Sequence, residues 1–330
     1  MRATVRDVAS RAGVSPKTVS NVVNGTVPVS PATRERVERA IAELDYVPNF
    51  SARGLRNGRS GMIALALPDL DTAYSSEIAH HVVQAAEARG LSVQIEETRG
   101  EAEGEQRLLS RARAQLVDGL ILNPIRLETS AVQPDVALPP VVLIGEVDQP
   151  IADHVWVDNV AAVRDLTALL IGHGHRRIAV LGGLPTESAR LRLAGHAEAL
   201  AAASLPRDRE LIIAAEWHPR GGAEALSAWL VSHPAPDAVI CLTDSMAIGA
   251  LHALWSAGLR VPEDVSLVGY DDIAEAAYLV PPLTTIGFDR SEFAGTAMAM
   301  LVERIADPGR PIRSVTVPYR VVERESVRSR

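Results

Sequence analysis

Residues 4–24 read TVRDVASRAGVSPKTVSNVVN, and the spacing of apolar side chains within them decides the first domain. Ala9, Ala12, Val14, Val19 and Val22 are the small apolar positions of two short helices around a tight turn. Gly13 supplies the turn, because a residue without Cβ enters the left-handed region without strain. Ser15 offers a capping hydroxyl, and Pro16 fills the first helical turn, where a missing N–H costs nothing. The second helix, Pro16 to Asn24, alternates buried valines with Lys17, Thr18, Ser20, Asn21 and Asn24. That polar face reaches base edges and phosphates, as the recognition helix of a helix-turn-helix requires. Apolar spacing alone fits a plain helix pair equally well, so the distribution of charge matters.

Residues 1–60 carry 10 basic and 5 acidic side chains, whereas the other 270 carry 23 and 36. A basic head on an acidic body attracts phosphate at one end and repels it elsewhere. At 330 residues, 47% hydrophobic and 22% charged, the composition is that of a soluble globular protein of two or three domains. No apolar run reaches bilayer length and no signal-peptide core opens the chain, so no membrane partner and a cytoplasmic location are expected. Cys241 is the single cysteine, which excludes an intrachain disulfide framework and fits a reducing compartment.

A third helix is expected from Pro31 to Leu44, with Ser30 as cap, Thr33 and Arg34 in the first turn, and Val37, Ala40, Ile41 and Leu44 as its apolar stripe. Pro48 ends it, since the residue before proline is pushed out of helical geometry. Phe50 to Arg56, FSARGLR, reads as a short helix with Asn49 as cap, too short to hold alone. Gly54 costs it about 1 kcal/mol relative to alanine. A passive tether and a helix that folds only on a partner both fit.

From Gly61 onward Val/Ile/Leu-rich runs alternate with amphipathic helices: GMIALALP, LSVQIEE, GLILNP, PPVVLIG, RIAVLGG, ELIIAA, AVICLT and VSLVGYDD are the strand candidates. Such continuous apolar strands imply parallel sheets covered on both faces. About ten strand-helix units exceed one compact sheet, so two doubly wound parallel sheets with a cleft between them are expected, an α/β architecture.

The stretch DVASRAGVSPKTVSNVVN resembles, almost residue for residue, the N-terminus of the lactose-repressor (LacI/GalR) family of bacterial transcription regulators. The resemblance continues through VSPATRERVERAIAELDYVPNFSARGLRNGRS and through GHGHRRIAVLGG, LTDSMAIGAL, VSLVGYDD and PPLTTI, covering the whole chain. It implies a three-helix DNA-binding head (1–47), a hinge helix and linker (48–60) and a periplasmic-binding-protein-like core (61–330). The core's N-subdomain is expected at about 61–158 and 290–318, its C-subdomain at about 162–286 and 321–330. The chain would cross between them near 158–162, 286–290 and 318–321. The resemblance also implies a hinge helix whose leucine wedges into the minor groove, a position held here by Leu55.

DNA contacts are therefore expected from Thr4, Val5, Arg6, Ser15, Pro16, Lys17, Thr18, Ser20, Asn21, Asn24, Ser30, Thr33, Asn49, Ala52 and Leu55. Pro16, Lys17 and Asn21 would set base preference, and Ser15, Thr18, Asn24 and Thr33 would hold phosphates.

In open α/β sheets ligands sit beyond the carboxyl ends of the strands. Asp69, Asp71, Glu146, Arg190, Arg192, Trp217, Thr243, Asp244, Asp271 and Asp272 all follow strand candidates. Carboxylates, arginines and one indole suit a polyhydroxylated ligand: the charged groups bond paired hydroxyls and the indole stacks on the ring. Asp244 and Asp272 read rather as helix N-caps. The effector set is Asp71, Tyr74, Glu146, Arg192, Trp217, Thr243, Asp271 and Arg290. Of these, Arg192, Trp217 and Asp271 match positions where family members contact effectors. Tyr74 fits the cleft opening or a dimer interface. Arg290 stands where some sugar-binding relatives hold an aromatic, which weakens any assignment of a particular sugar.

His173 and His175 in GHGHRR lack the further ligands a zinc site needs, so no metal and no cofactor are expected. No nucleophile elbow, P-loop or dinucleotide fingerprint appears, so an enzyme is not expected. The favoured reading is a homodimeric repressor that binds a near-palindromic operator on double-stranded DNA and is released by a sugar. Alternatives are an activator or co-repressor-dependent regulator answering a nucleobase, another metabolite or a partner protein, and more remotely a solute-binding protein.

Overall fold

The computed structural model describes residues 3–24, 27–46, 59–114, 116–125, 139–147 and 150–329. Contacts divide the chain into two units, residues 1–60 and 61–330. Asn49, Ala52, Leu55 and the rest of the expected hinge helix lie outside the described residues.

In the first unit, α1 (Val5–Ala12), α2 (Pro16–Asn24) and α3 (Pro31–Glu43) enclose a core of Val8, Ala9, Ala12, Val19, Val22, Val37 and Ala40. Gly13 ends α1 at φ 62°, the left-handed conformation that the turn needs. Thr4 and Asp7 form a reciprocal capping box at the start of α1. Ser15 accepts a 3.1 Å bond from the Thr18 N–H and so caps α2. Ser30 does not cap α3 through its side chain; its hydroxyl donates to the Thr33 hydroxyl at 2.9 Å, and Pro31 at the first position removes one donor that a cap would serve.

The second unit holds two six-stranded sheets. The first contains β1 (Met62–Leu67), β2 (Ser92–Glu97), β3 (Gly119–Leu122), β4 (Val141–Ile144), β5 (Asp153–Trp156) and β11 (Ser314–Thr316), in the order β11-β5-β4-β3-β1-β2. The second contains β6 (Ile178–Leu181), β7 (Ile212–Ile213), β8 (Ala238–Cys241), β9 (Ser266–Asp271), β10 (Thr284–Phe288) and β12 (Tyr319–Val322), in the order β12-β10-β9-β8-β6-β7. All neighbours run parallel except β12, which pairs antiparallel with β10.

Alternation along β1 shows why its run is continuously apolar. Ile63, Leu65 and Leu67 enter the core shared with α4 (Ala73–Glu87) and α10 (Arg290–Ala306), while Ala64 and Ala66 meet Leu108 and Leu109 of α5 (Ala102–Arg113). Both faces are covered, so no position is left for a polar residue. The second sheet is flanked by α6 (Asn159–Gly172), α7 (Glu187–Ala202), α8 (Pro219–Ser232) and α9 (Asp244–Ser256). The chain leaves the first sheet after Trp156, returns to it with α10 and β11, and ends in the second with β12. None of the described helices is long and apolar enough to cross a membrane.

Candidate DNA-facing and ligand-binding sites

On the head, Pro16 and Lys17 are exposed at the start of α2, and Thr18, Ser20 and Asn21 are half-buried beside the buried Val19 and Val22. Arg11, Arg34 and Arg39 pair with Glu43, Glu38 and Glu35. Arg6 and Lys17, both exposed, form no ion pair among the described residues. Thr4 and Ser15 have their hydroxyls engaged as caps, which leaves Thr4 without a spare donor proton while its hydroxyl hydrogen points to Asp7. The Thr4 hydroxyl and N–H hold the Asp7 carboxyl below the usual range. Val5 is half-buried against the head core and offers only its methyl groups. Thr33 is half-buried and Ser30 exposed at the start of α3.

In the second unit, the carboxyl ends of strands from both sheets deliver polar side chains to one cavity of about 80 Å³. Asp69 and Thr72 come from the link between β1 and α4, Tyr74 from the first turn of α4, Asn123 and Ile125 follow β3, and Glu146 follows β4. From the other sheet come Ser188 and Arg192 on α7, Trp217 before α8, Thr243 and Ser245 at the head of α9, and Asp271 at the end of β9. The volume accommodates several water molecules, hence a compact polar ligand.

Arg192 is the centre of this site. Its Nε donates to Asn159 at 2.7 Å, one terminal nitrogen donates to the Leu242 carbonyl, and the other lies 3.3 Å from Glu146. The guanidinium sits over the Tyr270 ring at 3.6 Å, with the Trp217 ring at 5.2 Å. Burial alone would lower its pKa, but the facing Tyr270, Glu146 and Asp271 outweigh it and keep the group charged. Glu146 also accepts from the Ser188 hydroxyl at 2.7 Å and from the Asn159 amide at 3.3 Å. The Trp217 N–H donates to the Gly182 carbonyl at 3.0 Å, which fixes the plane of the indole.

Asp271 is 3% exposed. Burial pushes its carboxyl up to about 7, against the opposing pull of Arg192 and Arg290 and with help from Glu146 and Glu77. Tyr74, beside Glu146 and Asp271, has its phenol pushed up mainly by burial. It faces the cavity and also meets the Phe288 ring edge-on at 6.5 Å.

Several expectations are corrected here. Asp71 is exposed and does not line the cavity; Asp69 does, accepting from the Thr72 N–H and hydroxyl at 3.2 and 2.6 Å. Arg290 does not line it either: it pairs with Glu77 at 2.7 Å and donates to the Asp271 carbonyl. Arg190 is exposed and held by Glu187. Asp244 is not a cap, because Thr243 caps α9 by accepting from the Met246 N–H; Asp244 is the first helical residue and fully buried. Asp272 caps no helix and pairs with Arg324 and Arg320. His173 and His175 bond Ser329 and the Arg328 carbonyl, tying the C-terminal segment to the loop before β6.

Asn159, Ser188 and Tyr270 were not anticipated. Asn159 and Ser188 each stand in the first turn of a helix on the second sheet, and that position was their only signal. Tyr270 precedes Asp271 in an apolar run, where an aromatic reads as core. A second, larger groove of about 640 Å³ on the outer face, lined by Leu251, His252, Trp255 and Val280 among others, gathers no set of convergent carboxylates.

Residues 4–49 match the family described as "Bacterial regulatory proteins, lacI family", and residues 167–327 match "Periplasmic binding protein-like domain". The chain is 33% identical to the ribose operon repressor of Haemophilus influenzae over 330 residues, covering 99% of each protein. It is 32% identical to the HTH-type transcriptional repressor PurR of Pasteurella multocida, again covering 99% of each. Among solved structures, the Lac repressor dimer bound to operator and the anti-inducer ONPF superposes with a TM-score of 0.86 at 31% identity, with 100% of both chains covered. A complex of the transcriptional regulator CelR with cellobiose gives 0.72 at 32% identity, covering 98% of this chain and all of that one.

Proposed function

This chain belongs to the lacI family of bacterial regulatory proteins, and from that premise we propose that it is an operator-binding repressor released by an uncharged sugar held in the cavity. The observation that carries the ligand class is Arg192. Its charge is already balanced by Glu146, its faces meet Tyr270 and Trp217, and Asp69, Glu146 and Asp271 converge beside it. Carboxylates that accept, a guanidinium that donates and an indole that stacks are the complement of a ring bearing several hydroxyls. A phosphorylated ligand would meet three carboxylates and one compensated cation.

On the head, Lys17 and Asn21 suit guanine and adenine edges, with Pro16 beside them, while Ser15, Thr18, Asn24 and Thr33 suit phosphates. Arg6, with Thr4 and Val5, would follow the backbone at the start of α1. Asn49, Ala52 and Leu55 form the minor-groove element, with Leu55 as a wedge between base steps.

A homodimer on a near-palindromic site follows from size, since one small head offers only about 600–1,000 Å² of DNA interface. It is also supported by Trp255, Tyr278 and Val280, which are 75%, 85% and 87% exposed. Large apolar side chains left to water in this way mark an interaction surface.

The test is operator binding by the full chain, titrated against mono- and oligosaccharides, their phosphorylated forms and purines. Release by an unphosphorylated sugar is expected. Release or capture by a purine or a sugar phosphate alone overturns the ligand class while leaving the DNA-binding reading intact.

A further inference from the structure

We propose that Arg324, two residues beyond β12, is a positioning residue: through Asp272 it sets the aim of the Asp271 carboxylate into the cavity. This inference rests on reading the cavity as the ligand site, and neither Arg324 nor Asp272 lines that cavity.

At the end of β9 two consecutive non-glycine residues take positive φ, 116° at Asp271 and 55° at Asp272. L side chains rarely adopt such conformations, and they persist only where the surroundings over-determine them. The surroundings do so from three sides. Asp244 accepts from the Ile273 N–H at 3.0 Å and from the Thr285 hydroxyl at 2.6 Å, anchoring the residue after the turn. Arg290 donates to the Asp271 carbonyl. Asp272 pairs with Arg324 at 2.6 Å and Arg320 at 3.4 Å.

The strands leave space for these carboxylates. A Cβ on Gly269 would lie 1.9 Å from Asp244 Oδ1, and one on Gly287 would lie 2.8 Å from Asp272 Oδ2. Arg324 is itself fixed: it donates to the Leu283 carbonyl at 2.8 Å, and its backbone N–H donates to the Thr284 hydroxyl at 2.9 Å. Its side chain is 19% exposed, against 67% for Arg320, so the two cations differ sharply in how firmly they hold Asp272. Without Arg324 the partly buried Asp272 carboxylate loses its main partner and seeks water. The turn then relaxes, and the adjoining Asp271 carboxylate swings out of its buried place toward water, losing the desolvation that raises it.

The experiment follows the Asp271 carboxyl by ¹³C NMR titration in the full chain, its resonance assigned by loss in Asp271→Asn. The parent is expected to titrate near 7, the value set by burial. Arg324→Gln should move the midpoint toward the ordinary carboxylate range, and Arg324→Lys should restore most of it. Asp272→Asn should match Arg324→Gln, and the double variant should move no further. Should Arg324→Gln fail to fold by circular dichroism, Arg320→Ala reports the same clamp from its exposed side, with a smaller move in the same direction. A folded Arg324→Gln with the parent's midpoint overturns the proposal, as does an unmoved Arg320→Ala where Arg324→Gln does not fold.

Calorimetry with ribose, cellobiose and lactose adds a second readout, in which Arg324→Gln binds about tenfold more weakly than the parent. Equal affinity in parent and variant overturns the proposal. If none of the three sugars binds the parent, the sugar reading fails while the carboxyl titration still decides the role of Arg324.

Discussion

The head and the cavity treat charge in opposite ways. On the head, Arg6 and Lys17 are exposed and pair with no described acid. In and around the cavity each of the central arginines is already paired: Arg192 with Glu146, Arg290 with Glu77, Arg324 with Asp272. A surface that meets DNA gains by keeping cations free to displace condensed counterions. A closed site cannot do the same, because an isolated charge out of water is far more costly than one held in a network. Arg6 and Lys17, unpaired among the described residues, suit the proposed DNA face, and the paired arginines suit the proposed ligand without net charge.

The contrast can be broken most sharply at Asp271. Asp271→Ala removes the central acceptor, and no sugar should then release the protein from labelled operator in an anisotropy titration. Release at the parent's sugar concentration would mean that the cavity is not the effector site. On the DNA side, Leu55→Ala should remove most operator affinity while leaving sugar binding unchanged, since a wedge acts only on the bent duplex. Retained affinity would reduce residues 50–56 to a tether.

Asp271 also makes the second unit sensitive to pH. Its carboxyl titrates near 7 in the fold against 3.8 for the ordinary group. A raised carboxyl contributes stability that is fully present below about 4 and is lost as pH climbs through 7. The span of about three pKa units is worth up to ~4 kcal/mol. Calorimetric unfolding should thus show the parent losing stability between about pH 4 and 7 and levelling off above, and Asp271→Asn should flatten that slope; parallel curves would count against it.

Smaller effects belong to the head. Lys17→Ala should cost ~1–3 kcal/mol on operator and relax preference at one base pair. A uniform loss on all sequences would make Lys17 a phosphate contact. Thr4→Ala removes one half of the capping box and should lower head stability by about 1 kcal/mol, read as a shift in thermal unfolding.

The same two regions differ in how far they could be read beforehand. Helix α2 was expected from Pro16 to Asn24 and runs over those residues, because Gly13, Ser15 and Pro16 act within one turn of where they stand. Strand β5, Asp153–Trp156, went unread. Its DHVW carries two polar residues, both buried and both partnered: Asp153 holds Arg304, far along the chain, with two 3.0 Å bonds, and His154 bonds the carbonyl of Gly145 just beyond the neighbouring β4. The strands after VSLVGYDD, β10 to β12, were likewise not anticipated, nor was the antiparallel pairing of β12.

In the cavity, strand ends identified Glu146, Arg192, Trp217 and Asp271 as side chains to be brought together, and they do converge. Which neighbouring acid faces the ligand was not legible. Asp69 and Asp71 are equivalent in a string of letters, and so are Asp271 and Asp272. Periodicity, caps and charge distribution are local properties, so the residue order alone settled the three-helix head, the α/β body and the strand ends that carry the polar groups. The division of labour between Asp271 and Asp272 depends on the left-handed backbone that both adopt and on which distant arginine meets each. That is a matter of packing between segments far apart in sequence, and only the folded chain decides it.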